Sequence, residues 1–208
     1  MRKENLTLSR REFVKLGIAS SAGLVLVACG ANSETPTTLL NESTQLQATP
    51  NCDDHDETLA QTAGPFYTPN TPERTSFIEA GITGIPLLVT GKVLTTNCRP
   101  LANAILDFWH ADDAGNYDND GFRLRGHQFT DEEGTFQLET IMPGLYPGRT
   151  RHIHVRVQGE GTDLLTTQLY FPDEAANKAD GIFDDALLMD MLSDEEDGKT
   201  AVFNFVLA

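Results

Sequence analysis

Hydrophobic and polar residues alternate along much of the chain after about residue 86, in short stretches separated by turn-forming residues. Side chains two residues apart leave the same face of a strand, so this alternation predicts strands with one buried face. One short helix is predicted at 183–192, followed by an acidic loop at 193–197. Such spacing is typical of an all-β protein with a β-sandwich fold and long loops. Strands are predicted at 87–94, 104–111, 135–140, 151–158, 166–171 and 201–207.

The first 28 residues differ in composition from the rest and are predicted to be an export signal. Arg10 and Arg11 precede an apolar stretch at 16–28, which is shorter than the roughly 20 residues that a membrane-spanning helix needs. Paired arginines before such a stretch are typical of twin-arginine export. Small residues before Cys29 resemble a lipoprotein cleavage site, which would make Cys29 the lipidated first residue. We therefore expect an exported protein held by a lipid anchor only, on the outer face of the bacterial cytoplasmic membrane, in the periplasm or at the cell surface.

The remainder of the chain is predicted to be one tethered domain. Residues 29–60 are rich in small and polar side chains and are predicted to be a flexible tether, whereas 61–208 are predicted to be a single folded domain. Cys52 and Cys98 could form a disulfide in the oxidising compartment that export implies. The chain has 15 basic and 31 acidic residues, a formal net charge of −16, which argues against nucleic acid as a partner.

Two histidines separated by one residue lie on the predicted strand at 151–158. His152 and His154 would leave the same face of this strand, while the apolar residues beside them point into the core. Both rings could therefore bind one metal ion, and imidazole suits zinc, copper, iron and nickel. The chain has no suitably spaced cysteines and no His-Glu-x-x-His pattern, which argues against the commoner zinc sites. Tyr117 and Tyr146 are near in sequence, and a phenolate oxygen is a hard donor that favours a highly charged ion such as ferric iron.

The motifs around these residues resemble those of the intradiol ring-cleavage dioxygenases, the family that includes protocatechuate 3,4-dioxygenase. The resemblance extends in one uninterrupted order from about Gln61 to the last residue. It therefore implies the β-sandwich of that family for the domain at 61–208. Its main motifs are Gly64-Pro-Phe-Tyr67, Asp107-Phe-Trp109-His-Ala-Asp112, Gly115-Asn-Tyr117, Pro143-Gly-Leu-Tyr146-Pro, His152-Ile-His154 and Thr166-Thr-Gln168-Leu-Tyr170.

The resemblance implies a ferric centre and a role for each nearby side chain. It implies that a small aromatic diol of the catechol type and O2 are the substrates and that a cis,cis-muconate-type diacid is the product. Tyr146 would also act as a base, and Arg149, with the amide of Gln168 beside it, would stabilise negative charge on the bound ring. Tyr67 would line the substrate entrance. Phe108 and Trp109 are predicted to be core residues, and no metal role is predicted for His110 or His127. The implied Fe(III) ligands are Tyr117, Tyr146, His152 and His154, with a water or hydroxide.

An alternative reading of the same pattern is a non-catalytic binding module at the cell surface. The strand and turn pattern also resembles prealbumin-like and adhesin stalk modules, which are sandwiches without catalysis. Such modules have no need for Tyr117, His152 and His154 together. The joint presence of these residues favours the enzyme, and their convergence in three dimensions is the feature that separates the two hypotheses.

Overall fold

Two β-sheets form the computed structural model, which describes residues 56–195 and 198–208. The strands are β1 (Pro86–Thr95), β2 (Ile105–Trp109), β3 (Arg125–Phe129), β4 (Thr135–Ile141), β5 (His152–Gln158), β6 (Leu165–Tyr170), β7 (Asp190–Glu195), β8 (Gly198–Val202) and β9 (Phe205–Leu207). One sheet has the strand order β4-β1-β8-β7, with β9 also paired to β1, and the other has the order β3-β2-β5-β6. Two short 3₁₀ helices, Ala175–Ala179 and Asp185–Leu187, lie between β6 and β7.

The core lies between the two sheets and is made by the alternating apolar residues of their strands. These side chains are almost completely buried, and burying one such side chain contributes about 1.5–3 kcal/mol. The predicted β-sandwich is therefore confirmed. The apolar residues that alternate with His152 and His154 along β5 lie on its inner face. The inner residues include Leu87, Val89, Leu106, Phe108, Phe136, Leu138, Ile153, Val155 and Val157.

The last predicted strand, 201–207, is divided in the structure into β8 and β9. Both pair in parallel with β1, and the break falls beside Gly91. A Cβ atom at Gly91 would lie 1.8 Å from the carbonyl oxygen of Phe203, so the chain can pass there only because this residue has no side chain. Asn204 then accepts a hydrogen bond from the backbone N–H of Lys92 through its side-chain oxygen, at 2.9 Å.

The predicted helix at 183–192 is wrong. The structure has only a single 3₁₀ turn there, Asp185–Leu187, and β7 begins at Asp190. The side chain of Asp184 accepts a hydrogen bond from the N–H of Ala186 and so caps this one turn. Buried Leu187 and Met189 are two residues apart, which is the period of a strand rather than a helix.

The other predicted strands are confirmed within a few residues, but two strands were not predicted. β3 reads Arg-Gly-His-Gln-Phe and has no apolar alternation. β7 extends through Glu195, so most of the acidic run that was predicted to be a loop belongs to a strand. Each of these strands is held by pairing to one neighbour, β3 to β2 and β7 to β8. Such pairing is made by backbone groups and leaves no pattern in the strand's own side chains.

Several predictions concern residues outside the described part of the chain. These are the export signal, the lipidation of Cys29, most of the tether and Cys52. Cys98 is disulfide-bonded, and the other two cysteines of the chain lie outside the described residues, so its pairing with Cys52 stays a prediction. Within residues 56–195 and 198–208, no helix is long and apolar enough to cross a membrane.

Candidate metal centre

The predicted ligands His152 and His154 lie on the outer face of β5. Strand pairing places Trp109 of β2 opposite His154 on one side and Gln168 of β6 opposite it on the other. Directly opposite residues of antiparallel strands share a face, so these side chains form a row across the sheet. His152 and His154 are only 4% and 2% exposed although they point away from the core, because loops cover this face.

The two imidazole rings converge on each other and on Tyr117. The Nε2 atoms of His152 and His154 are 3.1 Å apart, and the hydroxyl of Tyr117 lies 3.2 Å from Nε2 of His152. The rings of Tyr117 and Tyr146 are nearly perpendicular, with centroids 5.9 Å apart. The structure therefore brings the four predicted ligand side chains into one cluster.

Close packing of two loops explains why the two tyrosines meet. The loop that carries Tyr117 and the loop that carries Tyr146 touch through backbone atoms at Gly115 and Gly144. A Cβ atom at Gly115 would lie 2.2 Å from the carbonyl oxygen of Leu145, and one at Gly144 would lie 2.3 Å from the backbone nitrogen of Gly115. Only glycine allows this approach, so the two glycines are part of the site even though they carry no chemistry.

The hydrogen bond of His152 assigns its tautomer. Nδ1 lies 2.6 Å from the carbonyl oxygen of Thr150, and a carbonyl can only accept. Nδ1 therefore carries the proton, and Nε2 is left with a lone pair that faces the cluster. Burial lowers the pKa of His152 to about 4 and holds the pKa of His154 well below its usual value, so both rings are neutral at pH 7.

These two neutral rings have the properties of metal ligands. Ring nitrogens that face each other at 3.1 Å need a proton or a cation between them, since two lone pairs repel. Nδ1 of His154 is buried and has no hydrogen-bond partner among the described residues. The polar contact of this ring is therefore made by Nε2, which faces His152. Within the same part of the chain, no group of three or more His, Cys, Asp or Glu could hold a metal ion. A metal here would therefore need the tyrosine oxygens as well.

The hydroxyl of Tyr117 keeps its proton at pH 7, unlike the Nε2 atom of His152 beside it. Burial raises the pKa of Tyr117 to about 12, against the opposing positive charges of Arg149 and Arg125. Tyr117 is therefore a neutral phenol at pH 7 until a cation displaces its proton. A trivalent cation supplies the largest driving force for that exchange, so this donor set fits Fe(III).

Arg149 and Gln168, which were predicted to act on the substrate, contact each other beside the cluster. Nη2 of Arg149 donates to Oε1 of Gln168 at 2.6 Å, and its Nε donates to Oδ2 of Asp180 at 2.8 Å. The Asp180 carboxylate is 1% exposed. Burial would raise its pKa, but the backbone N–H groups of Thr150 and Ile182, and then Arg149, hold the pKa below its usual value. Sequence reasoning missed Asp180, because nothing near it in the sequence marks a site.

Tyr67, which was predicted to line the substrate entrance, contacts the cluster through Trp109. Its ring packs 4.9 Å from Trp109, and Trp109 in turn stacks on His154 at 4.8 Å with parallel planes. The hydroxyl of Tyr67 donates to Asp107, and Arg156 lies over its ring. Its role in substrate binding stays a prediction.

Phe66, the residue before Tyr67, packs directly on the predicted ligands and was missed. Its ring stacks on Tyr117 with centroids 4.4 Å apart and meets Tyr146 edge-on at 5.4 Å. Trp109 was predicted to be core and is 1% exposed, but its stacking on His154 makes it a wall of the site. Alternation along β2 could have revealed this, because Trp109 has the parity of Asp107 and not of buried Phe108.

A buried arginine that sequence reasoning also missed supports the Tyr117 loop. Arg125 is 1% exposed, and it donates to the carbonyl oxygens of Asp118 and Phe66. Its guanidinium carbon lies 5.9 Å from the ring centroid of Tyr117. This one side chain therefore connects the two segments that carry Phe66 and Tyr117.

Comparison with known proteins identifies the family. A family model described as a dioxygenase matches residues 62–208. The chain belongs to this family, that of the intradiol dioxygenases. Catechol 1,2-dioxygenase of Candida albicans is 36% identical over 135 residues, which cover 51% of this chain and 45% of that protein. Hydroxyquinol 1,2-dioxygenase of a Rhizobium species is 30% identical over 146 residues, which cover 58% of this chain and 50% of that protein.

Solved structures show the same intradiol dioxygenase fold. The dioxygenase domain of a dioxygenase–carbohydrate-binding fusion from the cellulolytic bacterium Streptomyces sp. SirexAA-E is 52% identical, with a TM-score of 0.70 over 73% of this chain and 98% of that chain. Hydroxyquinol 1,2-dioxygenase of Pseudomonas putida is 26% identical, with a TM-score of 0.64 over 73% of this chain and 66% of that chain. The alignments with the first two curated relatives span about half the length of those proteins. The predicted family and fold are thus confirmed.

Proposed function

We propose that this chain is a non-haem Fe(III) intradiol dioxygenase that cleaves the ring of catechol-type aromatic diols with O2, giving cis,cis-muconate-type diacids. The observation that carries the proposal is the convergence of two neutral imidazoles and the phenol of Tyr117, with the ring of Tyr146 packed against that of Tyr117. The shortest contacts in this cluster join His152 to His154 and to Tyr117, at 3.1 and 3.2 Å. The relatives are named as dioxygenases of catechol and hydroxyquinol, which supports a catechol-type substrate.

Four side chains would hold the iron. When bound, Fe(III) would supply Lewis acidity and a template that orients both hydroxyl oxygens of the diol. Two phenolates would offset two of its three positive charges, so that a largely buried site does not carry a large uncompensated charge. The ligands are Tyr117, Tyr146, His152 and His154.

The remaining side chains bind and orient the substrate. Tyr146 is more exposed than the histidines and belongs to a surface loop, so it is the ligand placed to take a proton from a substrate hydroxyl. Arg149 offers a fixed positive charge in a rigid planar group, which suits negative charge that develops on the bound ring. Gln168 fixes one edge of that guanidinium at 2.6 Å. Phe66 and Trp109 exclude water from the sides of the cluster.

The colour of the iron-loaded protein tests this proposal. Purified after expression in iron-replete medium, the protein should hold about one Fe(III) and show a visible tyrosinate-to-iron charge-transfer band that shifts when catechol is added. Oxygen uptake on a panel of substituted catechols, with absorbance detection of the diacid, should then show turnover and rank the substrates. A colourless protein that holds zinc would refute the proposal.

A pair of tyrosine variants makes the test specific. Tyr146→Phe should alter the band and slow turnover, because it removes a ligand and the proposed base. Tyr170→Phe is the matched control for the band: Tyr170 is buried near His152, but its hydroxyl bonds to Gln61 at 2.6 Å. An unchanged band in Tyr146→Phe would remove that residue from the ligand set.

The same experiments distinguish the dioxygenase from the alternative, a non-catalytic binding module. A binding module of this fold would bind an aromatic diol without oxygen uptake and without an iron band. It would have no reason to bury two facing, neutral imidazoles, since each buried polar group without a partner costs free energy. We also propose, from the sequence alone, that the protein is exported and lipid-anchored through Cys29.

A further inference from the structure

A short 3₁₀ helix contacts the three residues that precede His152. The helix Ala175–Ala179 is flanked by Glu174 and Asp180, and Asn177 lies at its middle. A 3₁₀ helix has three residues per turn, so side chains at positions i, i+3 and i+6 lie on one face. This face bonds to three consecutive residues in reverse order, in the pairs Glu174 with Arg151, Asn177 with Thr150 and Asp180 with Arg149.

All three contacts of this polar face are short. Arg151 Nε lies 2.6 Å from Glu174 Oε1, Thr150 Oγ1 lies 2.6 Å from Asn177 Oδ1, and Arg149 Nε lies 2.8 Å from Asp180 Oδ2. Oδ2 of Asp180 also accepts the backbone N–H of Thr150 at 2.9 Å. The amide of Asn177 is itself fixed, because its Nδ2 donates to the carbonyl oxygen of Phe171. The helix therefore holds this segment through both backbone and side chains.

Thr150 transmits this contact to a predicted metal ligand. It is completely buried, and its backbone N–H and its hydroxyl are both bound by the helix. Its carbonyl oxygen is the acceptor for Nδ1–H of His152 at 2.6 Å. Partners behind a metal-ligating histidine fix its tautomer and ring orientation, and their loss typically costs about 10–100-fold in metal affinity or activity. Asn177 is thus two hydrogen bonds away from the ring of His152.

Asp180 sets the direction of Arg149. Its carboxylate binds Nε, and Gln168 binds Nη2, so two sites on the guanidinium are already engaged. Among the described residues, Nη1 has no hydrogen-bond partner, so this nitrogen is available to a bound substrate. Without Asp180 the guanidinium would lose its strongest partner and could rotate about the last bonds of its side chain.

We propose that Asn177 and Asp180 are positioning residues that fix His152 and Arg149 from outside the site. Asn177 acts on the ligand through Thr150, and Asp180 acts on the guanidinium directly. The inference rests on the proposed function for its consequences in catalysis. Its structural part, the orientation of the His152 ring, can be measured in metal-free protein.

Two variants test the two arms separately, with a control from the same helix. Asp180→Asn keeps an oxygen that can accept the N–H of Thr150 but removes the charge that binds Arg149. It should lower kcat about tenfold, with KM, iron content and the visible band nearly unchanged, because Arg149 acts on the ring only after binding. Asn177→Ala should shift the visible band and speed removal of iron by a chelator about tenfold. Lys178→Gln replaces a charged, exposed residue between them and should change neither quantity.

The metal-free protein supplies a measurement that does not depend on activity. The Nδ1 proton of His152 should exchange slowly with solvent in ¹H–¹⁵N NMR spectra of the wild type and of Lys178→Gln, and faster in Asn177→Ala. Equal exchange in all three proteins, or a kcat in Asp180→Asn equal to that of Lys178→Gln, would overturn the inference. A loss of iron from Asp180→Asn would also overturn it, since that result assigns Asp180 to the fold of the site. Failure of the proposed function is distinct, because the wild type itself would then lack the iron band.

Discussion

Protonation of His110 should make the domain less stable at mildly acidic pH. His110 follows β2, is 1% exposed and connects the two sheets, since Nε2 lies 2.6 Å from the hydroxyl of Thr140 on β4. Its Nδ1 lies 2.7 Å from the carbonyl oxygen of Ala111, so Nδ1 carries the proton and Nε2 accepts from Thr140. This arrangement requires a neutral ring. Burial lowers the pKa of His110 from 6.5 to about 4.

The size of the effect follows from this pKa. The unfolded chain binds a proton at His110 below about pH 6.5, whereas the folded protein binds it only below about pH 4. Between these values the unfolded state carries more protons, so the stability from this residue is complete above pH 6.5 and is lost as the pH falls towards 4. The full difference of 2.5 pKa units corresponds to about 3.4 kcal/mol, of which about 2 kcal/mol is lost between pH 7 and pH 5.

Urea unfolding of metal-free protein at pH 7 and pH 5 measures this loss. His152 has a similarly lowered pKa and contributes in the same direction, so the informative quantity is the difference between wild type and His110→Gln. The variant should lose about 2 kcal/mol less than the wild type over this interval. His127→Gln is the control, because His127 is only half-buried on β3. If wild type and His110→Gln lose the same free energy of unfolding, the account of His110 as a buried neutral connection is refuted.

Two further predictions concern the fold and the leader. Gly91→Ala should lower the free energy of unfolding by about 1–3 kcal/mol or more, because the new Cβ meets a backbone carbonyl 1.8 Å away; an unchanged urea midpoint would contradict this. Replacing both Arg10 and Arg11 by lysine should leave the protein in the cytoplasm, as measured by cell fractionation, and Cys29→Ser should abolish fatty-acid labelling. Export of the lysine variant at the wild-type level would count against the twin-arginine signal.

The success of the strand predictions depended on whether a strand has a buried face of its own. β1, β2, β4, β5 and β6 each carry alternating residues that enter the core, and their positions were predicted within a few residues. β3 has few apolar residues and is a strand because it pairs with β2. The predicted helix at 183–192 is wrong because its last residues pair with β8 as the start of β7, a contact that the local pattern does not show.

Site residues that belong to a sequence motif could be predicted. Residues that matter only because they contact a motif residue in the folded protein could not. Tyr117, Tyr146, His152 and His154 belong to motifs, and the structure brings them together. Asp180 bonds to Arg149 across a separation of 31 residues, and no feature near it indicates a site. The spacing of Glu174, Asn177 and Asp180 is regular, but it becomes meaningful only when a 3₁₀ helix forms and another segment lies against it.

The sequence alone determined the all-β class, the inner and outer faces of β5 and, through its motifs, the family. These properties depend on the two-residue period of a strand and on patterns of adjacent residues, both of which are local. Only the tertiary structure decided which groups surround the two histidines: Phe66 and Trp109 as walls, Arg125 as a support and Asp180 as the partner of Arg149. Such contacts depend on how strands pair and how loops pack between residues far apart in the sequence. The two-residue period of a strand carries no information about which segments meet in this way.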